Sequence, residues 1–178
     1  MTLAELNALT PEAFVAALSG VFEHSDWVVS RAAPARPFAS IEALLGTLRR
    51  VLIEAEDAEQ LALIRAHPDL RARSIHSPAL TAASHSEQRR AGLEGCTPEE
   101  AERLAALNVA YQSRFGFPFI LAVRGHDPAS IIARCEARLT HSPEEERATA
   151  LEQIGRIAEF RLRDRMDGPL WASGEDIK

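Results

Sequence analysis

Helix-starting signals recur along this chain and constrain its fold more than any other pattern. Thr10-Pro11-Glu12, Thr97-Pro98-Glu99 and Ser142-Pro143-Glu144 place proline and an acid directly after a hydroxyl side chain, and Asp127-Pro128 has the same cap and proline. The cap oxygen accepts a hydrogen bond from a backbone N–H of the first turn. Proline costs no hydrogen bond at this position, because a first-turn N–H has no partner within the helix. The acid is attracted to the positive end of the helix dipole. The pattern predicts a chain assembled from many separate helices.

Between these signals, apolar residues recur three and four positions apart, as they do on the buried face of a helix. Three such stripes consist of Ile41, Leu44, Leu45, Leu48 and Leu52; Ile131, Ile132, Cys135 and Leu139; and Leu151, Ile154, Ile157, Ala158 and Leu162. The one strand-like run, residues 117–123, has no evident partner strand. We therefore predict an all-α, single-domain bundle of about eight helices over residues 1–167. Residues 117–123 are expected to form an extended, pocket-lining segment, and residues 168–178 a tail.

The charged residues exclude several classes of function. The chain of 178 residues carries a formal charge of -6, which disfavours nucleic acid or an anionic membrane as the main partner. Its only lysine is Lys178, so an internal Schiff base, a pyridoxal phosphate attachment and a P-loop are all ruled out. Cys96 and Cys135 form no CxxC pair, and the histidines show no metal-ligand spacing. We expect no metal and no cofactor.

The sequence also bears on where the protein is found. No apolar stretch is long enough to span a bilayer, and the N-terminal residues lack the basic region of a signal peptide. A cytoplasmic location is therefore expected.

The strongest candidate for chemistry is His67, in the run from Arg65 to Leu70 that includes His67-Pro68-Asp69. Proline cannot continue a helix, so the imidazole is expected at a fixed turn. Its pKa lies near neutrality, which suits proton transfer. The alternative is a histidine that only caps the carbonyls at a helix end.

Three further segments carry candidates, each with a structural alternative. Glu87 and Gln88 offer a carboxylate and an amide near a helix start, although Ser84 and Glu87 also fit a plain capping box. Phe119 and its neighbours could wall a pocket or simply fill the core. Arg161 could bind an anion or belong to a solvated arginine-rich face.

Read together, these segments resemble one enzyme family, the 2-oxo-4-hydroxy-4-carboxy-5-ureidoimidazoline (OHCU) decarboxylases of urate degradation. The similarity runs from about residue 10 to about residue 167, and the ordered set of motifs is more specific than any one of them. The matching residues are Phe22-Glu23-His24-Ser25 with Trp27; Arg36-Pro37-Phe38; His67-Pro68-Asp69-Leu70; Ser84, Glu87-Gln88 and Ala91-Gly92-Leu93; Leu107-Asn108 and Tyr111; residues 115–120 and 123–125; and Glu152, Ile154, Ile157-Ala158 and Arg161-Leu162.

The resemblance implies a cofactor-independent decarboxylation of OHCU to (S)-allantoin by a homodimeric carboxy-lyase. It implies that His67 and Glu87 are catalytic, without fixing which of them moves which proton. The residues that it implies for substrate binding are Pro68, Ser84, Gln88, Phe119, Ile120 and Arg161.

Two other functions compete with this interpretation. A helical hydrolase could use His67 and Glu87 to activate water, but the sequence has no serine or cysteine nucleophile motif and no metal set. A helical interaction module without catalysis would instead leave His67, Glu87 and Arg161 scattered and expose an apolar groove.

Overall fold

The structure is a computed structural model that describes residues 1–70 and 81–166, and in this part of the chain all regular elements are helical. Two short 3-10 turns, Ala33–Ala35 and Leu93–Gly95, supplement the α-helices. The all-α prediction is confirmed. The nine α-helices of the described residues are α1 (Leu3–Ala8), α2 (Pro11–Leu18), α3 (Trp27–Ala32), α4 (Ile41–Ile53), α5 (Asp57–Arg65), α6 (Ala82–Arg90), α7 (Pro98–Phe115), α8 (Pro128–Arg138) and α9 (Pro143–Met166).

The predicted helix starts are present with their caps. The side chains of Thr10 and Thr97 each accept a hydrogen bond, of 3.2 Å in both cases, from the backbone N–H three residues later. Asp127 does the same for Ser130 over 2.8 Å, and Ser142 and Glu145 form a reciprocal capping box. Because each cap satisfies an N–H that has no partner within the helix, these local signals were sufficient to place the starts of α2, α7, α8 and α9.

The helices fall into two compact units. The first contains Met1–Ala55 and the part of α9 that begins at Gly155, and the second is Glu56–Ile154. The predicted boundary at residue 167 and the predicted tail, 168–178, lie outside the described residues. None of the helices in residues 1–70 and 81–166 is long and apolar enough to cross a membrane.

The first unit buries the stripe predicted on α4. Leu44, Leu45, Leu48 and Leu52 are all buried, while Ile41, at the start of the helix, is half-buried. On α9, the residues Ile157, Ala158 and Leu162 are buried as the spacing predicts. An apolar face on each helix therefore supplies this core.

The second unit contains the extended segment, residues 117–123, which runs between α7 and α8 without regular structure. Gly116 ends α7 with φ of 75°, a left-handed conformation that a side chain disfavours. Every residue from 117 to 123 is buried, so the segment belongs to the core of its unit. The segment is neither helix nor strand, and its extended form stays a prediction.

Helix α6 begins at Ala82, and residues 71–80, which precede it in the chain, lie outside the described part. The N-cap of α6 is Thr81, whose hydroxyl accepts from the N–H of Ser84 over 3.3 Å. The alternative interpretation of Ser84 and Glu87 as a capping box is therefore wrong, since both residues lie inside the helix.

Candidate active site

His67 lies directly beyond the C-cap of α5, as the His-Pro motif predicts. Its backbone N–H donates to the carbonyl of Ile64 over 3.2 Å, and its Nδ1 lies 2.9 Å from the carbonyl oxygen of Leu63. A carbonyl can only accept, so Nδ1 carries a proton in this contact. In the neutral imidazole, Nε2 is then the basic nitrogen, and in the imidazolium it is the second donor.

The burial of His67 distinguishes it from an ordinary helix cap. The residue is only 7% exposed, although it lies outside the helix beside the half-buried Pro68. The Leu63 contact uses Nδ1 and fixes the tautomer and the ring plane. Carbonyl capping therefore accounts for one ring nitrogen, and it sets the direction of the other.

Side chains of two helices hold the segment that follows His67. From α6, Gln88 Nε2 donates to the carbonyl of Asp69 over 3.1 Å. From α7, Gln112 Nε2 donates to Asp69 Oδ1 over 2.8 Å, and Asn108 Nδ2 donates to the carbonyl of Leu70 over 2.8 Å. We call Gln88, Asn108 and Gln112 the amide clamp. The clamp holds Asp69 and Leu70 by hydrogen bonds instead of regular secondary structure.

Sequence reasoning placed Asn108 in a family motif without a role and did not single out Gln112. A signal was present, because Asn108 falls among Leu104, Leu107 and Tyr111 on the buried face of α7. Asn108 is 7% exposed, and its Oδ1 is buried with no hydrogen-bond partner among the described residues. An amide on an apolar helix face therefore indicates a specific polar partner nearby.

Helix α6 presents Ser84, Glu87 and Gln88 three and four positions apart, and so on one face. Ser84 and Gln88 are buried, and Glu87 is half-buried. Through Gln88, this helix contacts the chain two residues beyond His67. The predicted residues Ser84, Gln88, His67 and Pro68 thus come from neighbouring parts of one unit.

The predicted residues Phe119 and Ile120 lie in the same unit, in the extended segment. Phe119 is 1% exposed and Ile120 is 3% exposed. The carbonyl of Ile120 accepts a hydrogen bond from Arg138 Nη1 over 2.6 Å, and the N–H of Ala122 donates to Gln153 Oε1 over 3.1 Å. Side chains from α8 and α9 therefore fix this backbone, which pairs with no strand in the part of the chain that the structure describes.

A buried polar cluster that the sequence analysis missed lies against Phe119. Arg138 donates through both Nε and Nη2 to Glu146 Oε1, and the hydroxyl of Tyr111 donates to the same oxygen. On the other carboxylate oxygen, Glu146 Oε2 lies 2.7 Å from His141 Nδ1. Burial and the Glu146 carboxylate raise the pKa of the Tyr111 phenol, which keeps it a neutral donor.

Arg161 lies in the first unit and is buried, so the alternative of a solvated arginine face is wrong for this residue. Its guanidinium Nη1 donates to Glu23 Oε2 over 2.8 Å and to the carbonyl of Gly20 over 3.2 Å. Arg161 is 6% exposed and Glu23 is 1% exposed. Arg163 and Arg165, on the same helix, are half-buried and have partners of their own.

A protein-family model described as OHCU decarboxylase matches residues 7–163 of this chain. The chain belongs to the OHCU decarboxylase family. The OHCU decarboxylase of Haloferax volcanii is 41% identical over 165 residues, covering 93% of this chain and 96% of the relative. That of Amia calva is 34% identical, covering 95% of this chain and 97% of the relative. The family predicted from the sequence motifs is confirmed.

A solved structure described as (S)-allantoin synthase has the same fold as this OHCU decarboxylase family member. The two superpose with a TM-score of 0.76 at 29% identity, over 94% of this chain. The chain spans only 55% of the length of that protein. The helical architecture of this chain is therefore also present in an experimentally solved structure.

Proposed function

We propose that this chain decarboxylates OHCU to (S)-allantoin without a metal or an organic cofactor. Family membership supports the reaction and makes the protein a carboxy-lyase. The structural observation that carries the proposal is the buried His67, whose Nδ1 contacts a carbonyl and whose following residues are held by the amide clamp. A hydrolase or a non-catalytic interaction module would leave this family match unexplained.

The substrate can supply its own electron sink. OHCU carries a carboxylate and a hydroxyl on one ring carbon, beside a C=N bond. When the bond to the carboxylate breaks, its electron pair forms a C=C bond, while the C=N pair moves to nitrogen, which takes a proton. The enol then loses its hydroxyl proton, and the neighbouring carbon takes a proton. The balance is substrate carboxylate plus one proton giving allantoin and CO2.

We assign His67 and Glu87 to these proton movements. His67 Nε2 can accept the hydroxyl proton or deliver a proton to carbon, because its partner nitrogen is fixed on Leu63. Glu87, half-buried on the face of α6 that carries Ser84 and Gln88, would orient His67 or the substrate. A proton given to one face of the carbon would produce a single enantiomer.

The remaining predicted residues would bind the substrate. The Gln88 side chain carries both amide donors and an amide acceptor, which suit the ureido group, and Ser84 lies on the same helix face. Pro68 would wall the site beside the imidazole, and the backbone N–H groups of Phe119 and Ile120 would hold the ring oxygen. Arg161 would bind a substrate carboxylate or carbonyl through its guanidinium fork, as the family resemblance implies.

The direct test supplies OHCU generated from urate in situ and follows its disappearance by ultraviolet absorbance together with CO2 release. The proposal expects both rates to rise in proportion to protein concentration. An unchanged decay rate at every protein concentration would contradict it. The control is Arg103→Met, which removes an exposed ion pair with Glu136 and should keep the wild-type rate.

We also propose, from the family resemblance, that the protein is a homodimer and, from the sequence features given above, that it is cytoplasmic. Light scattering coupled to size exclusion tests the oligomer, with an expected mass of about twice the chain mass of 19.5 kDa. Elution at the mass of one chain at micromolar concentration would contradict the homodimer.

A further inference from the structure

We propose that Arg138 is a positioning residue that fixes the substrate-binding backbone at Phe119 and Ile120. The inference rests on the proposed function, because it assigns the purpose of a buried side chain within the proposed site. Arg138 itself would not touch the substrate. It would act through the segment of residues 117–123, which no strand of the described residues holds in place.

Two contacts join Arg138 to this segment. Its Nη1 donates to the carbonyl of Ile120 over 2.6 Å, and its guanidinium carbon lies 4.6 Å from the ring centroid of Phe119. A peptide group is planar, so fixing the direction of the Ile120 carbonyl also fixes the Leu121 N–H. Through the shared Cα of Ile120, it restricts the rotation of the preceding peptide group, which carries the Ile120 N–H. The guanidinium therefore controls both the backbone rotation and the position of the adjacent aromatic ring.

The other side of the guanidinium is fixed by Glu146, which is fully buried. Arg138 Nε donates to Glu146 Oε1 over 2.9 Å, and Tyr111 donates to that same oxygen. The Tyr111 ring meets Phe119 edge-on, with centroids 5.2 Å apart and an interplanar angle of 75°. Phe119 is thus held by two members of one hydrogen-bonded cluster.

The energetic cost of this arrangement argues for a positional role. Arg138 is 6% exposed, and burying an ion pair is often no better for stability than packing apolar side chains of similar size. Unlike apolar side chains, the guanidinium of this pair has a fork of N–H donors that can hold a carbonyl in one direction. The cluster therefore explains how an irregular buried segment keeps one conformation.

Two variants separate positioning from simple folding. Arg138→Lys keeps a positive charge for Glu146 but loses the planar fork that reaches Ile120. The double variant Arg138→Met with Glu146→Leu removes both charges, so that neither is left buried without its partner. Arg103→Met is the matched control, because Arg103 and Glu136 form an exposed ion pair between α7 and α8.

The measurements are circular dichroism for folding, kcat and KM with OHCU generated in situ, and the affinity for (S)-allantoin by calorimetry. We expect folded variants whose kcat/KM falls on the order of 10-fold to 10²-fold, as misplacement of substrate by about 1 Å predicts. KM should rise, product affinity should fall, and the pH profile of kcat should not move. Arg103→Met should match the wild type.

A folded Arg138→Lys or double variant with kcat/KM within about 2-fold of wild type would overturn the positioning role. If only one of the two variants folds, that variant decides. An unchanged KM with a shifted pH profile would also overturn it, because the effect would then be on the proton-transfer groups. If the wild type itself lacks activity, the proposed function fails, whereas an active wild type with unaffected variants removes only the role of Arg138.

Discussion

Replacing Arg161 with alanine should destabilise the folded protein, whether or not the residue also binds substrate. Arg161 Nη1 lies 2.8 Å from Glu23 Oε2, and the side chains are 6% and 0% exposed. Arg161→Ala leaves the Glu23 carboxylate buried without this cation, which costs about 3–5 kcal/mol for a pair of this kind. For a domain of this size, the melting temperature should fall by about 6–20 °C. Thermal unfolding followed by circular dichroism measures the change.

A double variant tests whether the cause is the buried charge. Arg161→Met with Glu23→Leu removes both charges and should recover most of the loss, because no carboxylate remains buried without its cation. Arg161→Lys keeps the charge but not the fork, so its effect on stability and substrate recognition should be smaller than that of alanine. A melting temperature for Arg161→Ala within about 2 °C of wild type would refute this reasoning. If the double variant is stable but inactive, Arg161 also serves the substrate.

The other predictions concern metal dependence and alkaline stability. Dialysis against a strong chelator should leave decarboxylation unchanged, and restoration of a lost activity by zinc, iron or manganese would refute cofactor independence. Burial raises the pKa of the Cys135 thiol to about 11, so the native protein binds this proton more tightly than the unfolded chain does. Stability should therefore fall as pH rises from about 9 to about 11, by at most about 3 kcal/mol. In urea titrations, Cys135→Ala should make the free energy of unfolding fall less over this pH range. An identical pH dependence in the variant and the wild type would contradict the assignment of the decline to the Cys135 thiol.

Local signals in the sequence were sufficient for much of the helical fold. The cap and proline at Thr10 or Thr97 act on backbone atoms within three residues, so the sequence alone specifies them. The cap of α6 shows the limit of this approach. Thr81 and Ser84 both have suitable hydroxyls, and the choice between them depends on the burial of Ser84, which is a tertiary property.

The candidate site could be predicted only in part, because its supports are distant in sequence. His67 stood out through its own neighbours, whereas the burial of Arg161 depends on Glu23, 138 residues away. Arg138 carried a readable signal, since it follows Ile131 and Cys135 at helical spacing on a buried face. A charge on an apolar stripe indicates a buried partner, but the sequence does not say that the partners are Glu146 and the carbonyl of Ile120.

The central claim is that this chain converts OHCU to one enantiomer of allantoin by proton transfer at His67. Circular dichroism of the product, with OHCU generated from urate in situ, tests it most directly in wild type and His67→Asn. We expect the wild type to speed formation of (S)-allantoin and the variant to stay folded but lose turnover on the order of 10²-fold or more. Racemic allantoin at the uncatalysed rate with the wild type would contradict the function, and a near-normal rate in His67→Asn would contradict the role of the imidazole.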